Sequence, residues 1–347
     1  MRAAPGEGRR VRFSSRLNSF ATRPELFWPD LSGKPGTTEL MGRAASVGGL
    51  AGFDLNYPDH LDGHSAAQLS RHAADLGLSI HGLAMRYYRD PAFRSGAFTN
   101  PDPAVRQRAI DLTLRGVDAA AGAAAGMLTL WMGQDGFDHP FAADYNRLWA
   151  LEIDGIRAVA AHNPDILISI EYKPDEPRAH ALLDRVGTTL LAVREVGLPN
   201  LGVTIDFAHA LYAGEQPAMS AALVARHSRL LGVHLNDGYG GRDDGLMVGA
   251  VHTIQTIELL RQVRRDGYDG PIYFDTFPET SGLDPVAECA ANIATVRGMM
   301  ATIDRLDTDN RLGAALDRQD AVAGQQILQT ALFGRPADDE GAGYRRG

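Results

Sequence analysis

Residues 165–174 read DILISIEYKP: a short apolar, β-branched run that ends in Glu171 and continues into Tyr172-Lys173-Pro174. Such a run reads as a buried strand. Similar runs recur on both sides of it at fairly even spacing, over 12–20, 48–56, 78–84, 126–132, 200–207, 230–237 and 271–277, which makes eight strand candidates. Amphipathic stretches lie between them. Asp102-Pro103 reads as an N-cap followed by a first-turn proline, with apolar Val105, Ala109, Leu112 and Val117 behind it. Further helical stretches run over 143–162, 179–196, 217–228, 252–266 and 285–305. Strand and helix alternating eight times imply parallel strands joined by right-handed crossovers, and eight such units close into a barrel.

The expected fold class is therefore α/β, a (β/α)8 TIM barrel. A doubly wound open sheet is the alternative, but GxGxxG is absent and no glycine-rich phosphate loop follows the first strand. The expected organisation is a disordered lead-in over 1–11, a catalytic barrel over 12–305, a C-terminal helical extension over 306–334 and a flexible tail over 335–347. The extension reads as one further helix, roughly 309–333, packed either on a neighbouring subunit or on the base of the barrel itself.

Barrels of this kind place their active sites at the C-terminal ends of the strands. Strand five ends in Glu171; strand six runs Val203-Thr204-Ile205 into Asp206, with His209 three residues later. Strand seven runs into His234, then Asn236 and Asp237, and strand eight runs Ile272-Tyr273-Phe274 into Asp275. One carboxylate after a strand is often a helix cap. Four consecutive strands ending in oxygen or imidazole donors converge on one spot, where unpaired carboxylates would repel one another by several kcal/mol. A divalent cation removes that cost. A donor set without thiolate suits Mn²⁺, Mg²⁺, Co²⁺ or Zn²⁺. The expected metal ligands are Glu171, Asp206, His234 and Asp275. Past His234, the glycine-rich loop brings Asp243 and Asp244, which with Asp206 and His209 form a candidate second site; an exposed acidic loop is the competing reading.

The bulk composition narrows the partners. Of 347 residues, 44% are hydrophobic and 22% charged, and 34 basic against 43 acidic residues leave a net charge of -9, which disfavours a nucleic-acid backbone as partner. The lone Cys289 excludes an intrachain disulfide and makes a reducing, cytoplasmic compartment the default. No run approaches the ~20 apolar residues of a membrane span.

At these residues the sequence resembles the xylose isomerase-like TIM-barrel superfamily of sugar isomerases and epimerases, over roughly residues 12–300. IEYKP at 170–174, DFAH at 206–209, HLND at 234–237, RDD at 242–244 and FDTFP at 274–278 match its metal-site elements, and LWMGQDGFDHP at 130–140 is similar to its strand-four pocket element. The resemblance implies a metal-dependent enzyme on a sugar or glycoside, with Mn²⁺ favoured. It implies Glu171 and Lys173 at the reacting centre, Lys173 polarising a substrate oxygen. Two departures stand out: strand eight ends in Asp275 where the ketose 3-epimerases carry a glutamate base, and FDLNYPDH at 53–60 replaces the strand-two histidine pair of the xylose isomerases. The combination LNYPDH, GAFTNPDP, WMGQDGFDHP and HLNDGYG is most similar to the α subunits of C-glycoside deglycosidases.

That resemblance implies a carbon–carbon lyase acting on a 3-oxo-glucoside by β-elimination, with a small β subunit or a homo-oligomer as partner. A stand-alone aldose–ketose isomerase or epimerase is the alternative. His139 is the candidate base; Trp131, Tyr87, Tyr239 and Phe277 are the candidate pocket walls, against the plainer reading that they are core.

Overall fold

The computed structural model describes residues 11–334 apart from Ser32. The expected lead-in, except Val11, and the expected tail lie outside the described residues. Among those described, eight parallel strands close into a barrel: β1 Phe13–Arg16, β2 Gly52–Tyr57, β3 Ser79–Met85, β4 Met127–Leu130, β5 Leu167–Glu171, β6 Leu201–Asp206, β7 Leu230–Leu235 and β8 Ile272–Phe274. Closure comes from β1, which pairs β2 through Ser14↔Gly52 on one side and β8 through Phe13↔Ile272 on the other. Every expected strand is present, and all but β3 are shorter than their apolar runs, because the ends of the runs turn into the loops that carry the polar residues.

Strand chemistry explains which way the side chains face. Residues two apart share a side of a strand. On β5, Ile168 and Ile170 share one side, and Ser169 and Glu171 the other; all four are buried. The Ser169 hydroxyl meets that of Thr204 on β6 at 2.6 Å, and His81 Nδ1 lies 3.0 Å from Ser14 Oγ. Small polar groups thus line the barrel's inside and lead up to the strand-end carboxylates.

The main crossover helices are α1 Thr37–Ala45, α2 Ala66–Asp75, α3 Pro103–Gly122, α4 Tyr145–His162, α5 Val186–Val196, α6 Pro217–His227 and α7 Thr253–Arg265; α8, Pro285–Thr308, follows β8. α3 starts where expected: Asp102 accepts from Ala104 N at 2.8 Å, and Pro103 opens the helix. The stretch 179–196 departs from expectation. Its first residues, His180–Ala181, pair antiparallel with Gly136–Phe137 as a two-stranded ribbon, and the helix begins only at Val186.

The chain divides into two compact units, Met1–Ile293 with the barrel and Ala294–Gly347, a boundary inside α8. The expected single helix near 309–333 is two, α9 Asn310–Asp317 and α10 Ala321–Phe333. The break is physical: Gln319 takes a left-handed φ of 53°, and Asp320 caps a new helix by accepting from Ala323 N at 3.0 Å.

Loops at the mouth are held by a buried carboxylate. Asp135, fully buried in the strand-four loop, accepts from Ala97 N at 2.9 Å, Phe98 N at 3.3 Å, Thr99 N at 2.7 Å and Thr99 Oγ1 at 2.5 Å. It ties the loop after β3 to the loop after β4. Asp135→Ala would leave these donors buried without an acceptor, and a loss of about 3 kcal/mol is expected in chemical denaturation; a change below about 0.5 kcal/mol would show that the clamp is not needed.

Candidate metal centre

Four strand ends meet. One ligand atom from each of Glu171 (end of β5), Asp206 (end of β6), His234 (β7) and Asp275 (just after β8) lies within 4.8 Å of the others; among the described residues this is the group of that kind that forms. His234 Nδ1 is 3.3 Å from Glu171 Oε1 and 3.9 Å from Asp275 Oδ2. The His234 ring stacks on Tyr273 at 4.3 Å, and Asn236 Nδ2 donates to Asp206 Oδ2 at 3.1 Å. Asp206 also caps the short helix Phe207–Tyr212, accepting from His209 N at 2.9 Å. Arg16, at the end of β1, reaches Asp275 Oδ1 at 3.4 Å.

With the protein's own groups alone, the cluster is in electrostatic conflict. Burial, with repulsion from Asp243, Glu171 and Asp275 against attraction to His209, pushes the Asp206 carboxyl up to about 7. Burial pulls the His234 imidazole down, but Glu171, Asp275 and Asp206 outweigh it and raise the ring to about 9. Burial would raise Glu171; His234, His209 and Arg86 instead hold it down at about 2. Protons therefore do part of the work of a cation here. Three carboxylate oxygens and one imidazole nitrogen, buried and converging, fit a hard or borderline divalent ion.

The expected second site assembles differently. His209 Nε2 faces Asp243 Oδ2 at 3.2 Å while its Nδ1 donates to Tyr172 O, 3.0 Å away. Asp243 also receives Lys173 Nζ at 3.1 Å, and Lys173 reaches Glu176 at 2.5 Å. The Lys173 ammonium thus stands among these acids: burial opposes its charge, but Asp243 and Glu176 raise its pKa. Asp244 turns back on its own loop, accepting from Tyr239 N at 2.8 Å and pairing with Arg242 at 2.7 Å. His209 lies between Asp243 and the cluster, its Nδ1 3.9 Å from Asp206 Oδ1 and 3.7 Å from Glu171 Oε1; of the four expected second-site residues, Asp244 is the one turned away.

The cluster opens into a cavity of 450 Å³ whose wall includes Glu171, Lys173, Trp131, Tyr88, Arg86 and Phe277. Trp131 lies under Lys173 Nζ at 5.3 Å and against Tyr88 at 5.9 Å. Two expected wall residues are elsewhere. Tyr87 is core, 1% exposed, its hydroxyl 2.6 Å from Thr113 Oγ1; the next residue, Tyr88, in the turn after β3, takes the wall position. Tyr239 is exposed and outside the cavity lining. His139 is exposed and also outside it.

With the geometry in place, the comparisons give it a family. The family model described as xylose isomerase-like TIM barrel matches residues 43–299. The chain belongs to that family. Xylose isomerases of Thermus thermophilus and Thermus caldophilus are 28% and 27% identical to it over 207 residues, 58% of this chain and 54% of theirs; the chain spans about half the length of the curated relatives it matches. Among solved structures, an L-ribulose 3-epimerase superposes with a TM-score of 0.68 at 15% identity, covering 87% of this chain and 99% of its own. A D-tagatose 3-epimerase-like protein gives 0.67 at 15%, covering 85% and 98%. At that identity the likeness shows the xylose isomerase-like barrel and no more.

Sequence reasoning passed over three residues of this xylose isomerase-like mouth. Asp54, on β2, is buried with Oδ1 unpartnered among the described residues; burial is the main cause that lifts its carboxyl to about 6. It lies mid-strand, where an inspection of strand ends does not reach. Arg16 and Arg86 end β1 and β3, and a search for carboxylates and imidazoles ignores arginine.

Because Asp206 and His234 hold protons in the absence of a cation, Mn²⁺ must displace them. Calorimetric titration near neutral pH, in buffers of different ionisation enthalpy, should show about one proton or more released per ion. Affinity should rise as pH passes about 7 and approaches about 9, where Asp206 and His234 deprotonate. Affinity independent of pH over that window would mean that the ion binds elsewhere.

Proposed function

We propose that this chain is a divalent-metal-dependent enzyme that removes a proton next to a carbonyl on a sugar-like substrate, with Glu171, Asp206, His234 and Asp275 holding the ion. The observation that carries the reading is the buried three-carboxylate, one-imidazole cluster at the mouth of a closed barrel, opening into a sugar-sized cavity. Its more specific form is the metal-bearing α subunit of a C-glycoside deglycosidase. In a 3-oxo-glucoside the C2–H electron pair becomes the C1=C2 bond, the C1–aglycone bond breaks, and the aglycone carbon takes up a proton. Support comes from the motif combination LNYPDH, GAFTNPDP, WMGQDGFDHP and HLNDGYG, and from Asp275, which is engaged by Arg16 instead of standing free as a second base.

A bound ion, Mn²⁺ in this proposal, would polarise the substrate carbonyl and stabilise the negative charge that proton loss develops on its oxygen. Lys173 supports that charge from the side. Its raised pKa keeps it an ammonium, so it donates to a substrate oxygen and does not act as base. Trp131 and Tyr88 offer an apolar face to the sugar ring or an aromatic aglycone. Arg16 and Asn236 fix Asp275 and Asp206. The base is proposed to be His139, carried inward by its loop. Asp138 before it is anchored by Ala179 N at 3.0 Å and Arg178 at 3.0 Å, while Phe141, two residues on, is fully exposed with a left-handed φ of 63°, a conformation disfavoured for a bulky side chain and found at functional segments.

A second reading, a stand-alone aldose–ketose isomerase, has the xylose isomerase match in its favour. Incubation of the Mn²⁺-loaded chain with a 3-oxo-C-glucoside and with free aldoses separates the two. Release of aglycone, slow without a partner subunit and abolished by chelation, is expected; isomerisation of aldoses as the main activity decides for the second reading, and neither activity with metal bound contradicts both. Lys173→Met is expected to lower kcat/KM about 100-fold with metal retained. His139→Ala should keep metal and lose most turnover; unchanged turnover would remove His139 from the mechanism.

A further inference from the structure

Arginines gather on one side of the mouth, although Asp54 on β2 and Asp59, paired with Arg89 at 3.0 Å, stand there too and Lys173 stands among the acids. The acids Glu171, Asp206, Asp243 and Asp275 come from β5 to β8 and the loops after them, while Arg16, Arg86 and Arg89 follow β1 and β3. A buried histidine registers the positive half: His60 Nδ1 accepts from Asn56 N at 3.0 Å, so the ring is neutral. Burial first, then Arg86, Arg89, Arg16 and Lys34, hold it at about 3.

Three cations line the cavity, and two are committed. Arg16 pairs with Asp275 at 3.4 Å and Glu279 at 3.2 Å, and lies over the Phe277 ring at 4.5 Å. Lys173 pairs with Glu176 and Asp243. Arg86 is different. Among the described residues it has no ion-pair partner, and its side chain makes one marginal hydrogen bond, to the adjacent Met85 O at 3.5 Å. Its backbone is fixed, its N–H donating to Tyr57 O at 3.1 Å, so the guanidinium stands on a rigid strand end and faces the cavity. Each carboxylate of the centre has a nearer partner than Arg86, whose charge reaches Glu171 only as a lesser cause after His234 and His209: Glu171 has His234, Asp206 has His209 and the Asn236 amide, Asp275 has Arg16 and Asp243 has Lys173. The guanidinium's fork of donors is therefore available to a ligand, and it matches a carboxylate or phosphate in two parallel hydrogen bonds.

We propose that Arg86 is the anion-recognising residue of this cavity, and that the substrate carries a carboxylate or phosphate at the end remote from the oxygens that face the carboxylate cluster. The proposal rests on the metal-dependent sugar-enzyme reading and names its substrate class. The sugar oxygens would face the carboxylate cluster, which would hold the ion, and the anionic group would face Arg86.

The test is equilibrium binding to the Mn²⁺-loaded protein, compared in three pairs: D-glucose with D-glucuronate, D-glucose with glucose 6-phosphate, and phenyl glucoside with 4-carboxyphenyl glucoside. The first two pairs tell a carboxylate on the sugar from a phosphate; the third places the anion on the aglycone. At least one acidic member is expected to bind about tenfold tighter than its neutral mate, the worth of one charge-assisted hydrogen bond. Arg86→Gln should abolish the ratio between the acidic and the neutral member of the pair, Arg86→Lys should keep part of it, and added salt should shrink it. No preference in any pair, or a preference that survives Arg86→Gln, overturns the proposal. Neutral-sugar binding that does not depend on Mn²⁺ counts instead against the proposed function, so the two failures are distinguishable.

Discussion

Mutual repulsion among buried carboxylates is the constraint on which the rest of this structure depends. Glu171, Asp206 and Asp275 share one small volume with His234, the first two buried and Asp275 half-buried at the cavity, so water screens them only in part. A protein tolerates this arrangement only if protons or a cation neutralise it. The protein's own groups move in that direction: Asp206 and His234 are driven toward their protonated forms while Glu171 stays ionised against His234. A divalent ion resolves the same conflict without protonating the ligands, leaving all four donors available.

The remainder of the molecule holds that conflict in place. Parallel strands bring their C-terminal ends to one rim, and alternation along each strand sends aliphatic side chains to one side and Ser169, Thr204 and the ligands to the other. Asn236 and Arg16 orient two of the carboxylates, and Asp135 ties down the loops that frame the opening. Lys173 pairs with Asp243 and Glu176, and Asp243 also faces His209, so an ammonium stands among the acids beside the four-residue cluster.

Much of this was legible in the sequence because strand ends are easy to find: an apolar run broken by a carboxylate or histidine marks the last strand residue, and four such breaks in succession mark a shared rim. Side-chain direction after the strand was harder. Tyr87 and Tyr88 differ by one position and sit in core and cavity wall respectively, and the path of the turn after β3 decides which. Asp54 escaped notice because it lies within β2. The break between α9 and α10 depends on Gln319 adopting a positive φ, a position where glycine or asparagine would have given a clear stop signal. Asp244, which stands beside Asp243 in the chain, is drawn away by Arg242 and the Tyr239 N–H, local contacts that spacing alone does not reveal.

The central claim is a metal held by the four strand ends, and metal content measures it most directly. Elemental mass spectrometry on the wild-type protein and on Glu171→Gln, purified alike and soaked with Mn²⁺, should find about one divalent ion per chain in the first and a large loss in the second. No bound ion in the wild type, or equal occupancy in both, would contradict the account, because the buried carboxylates would then be neutralised by protons alone.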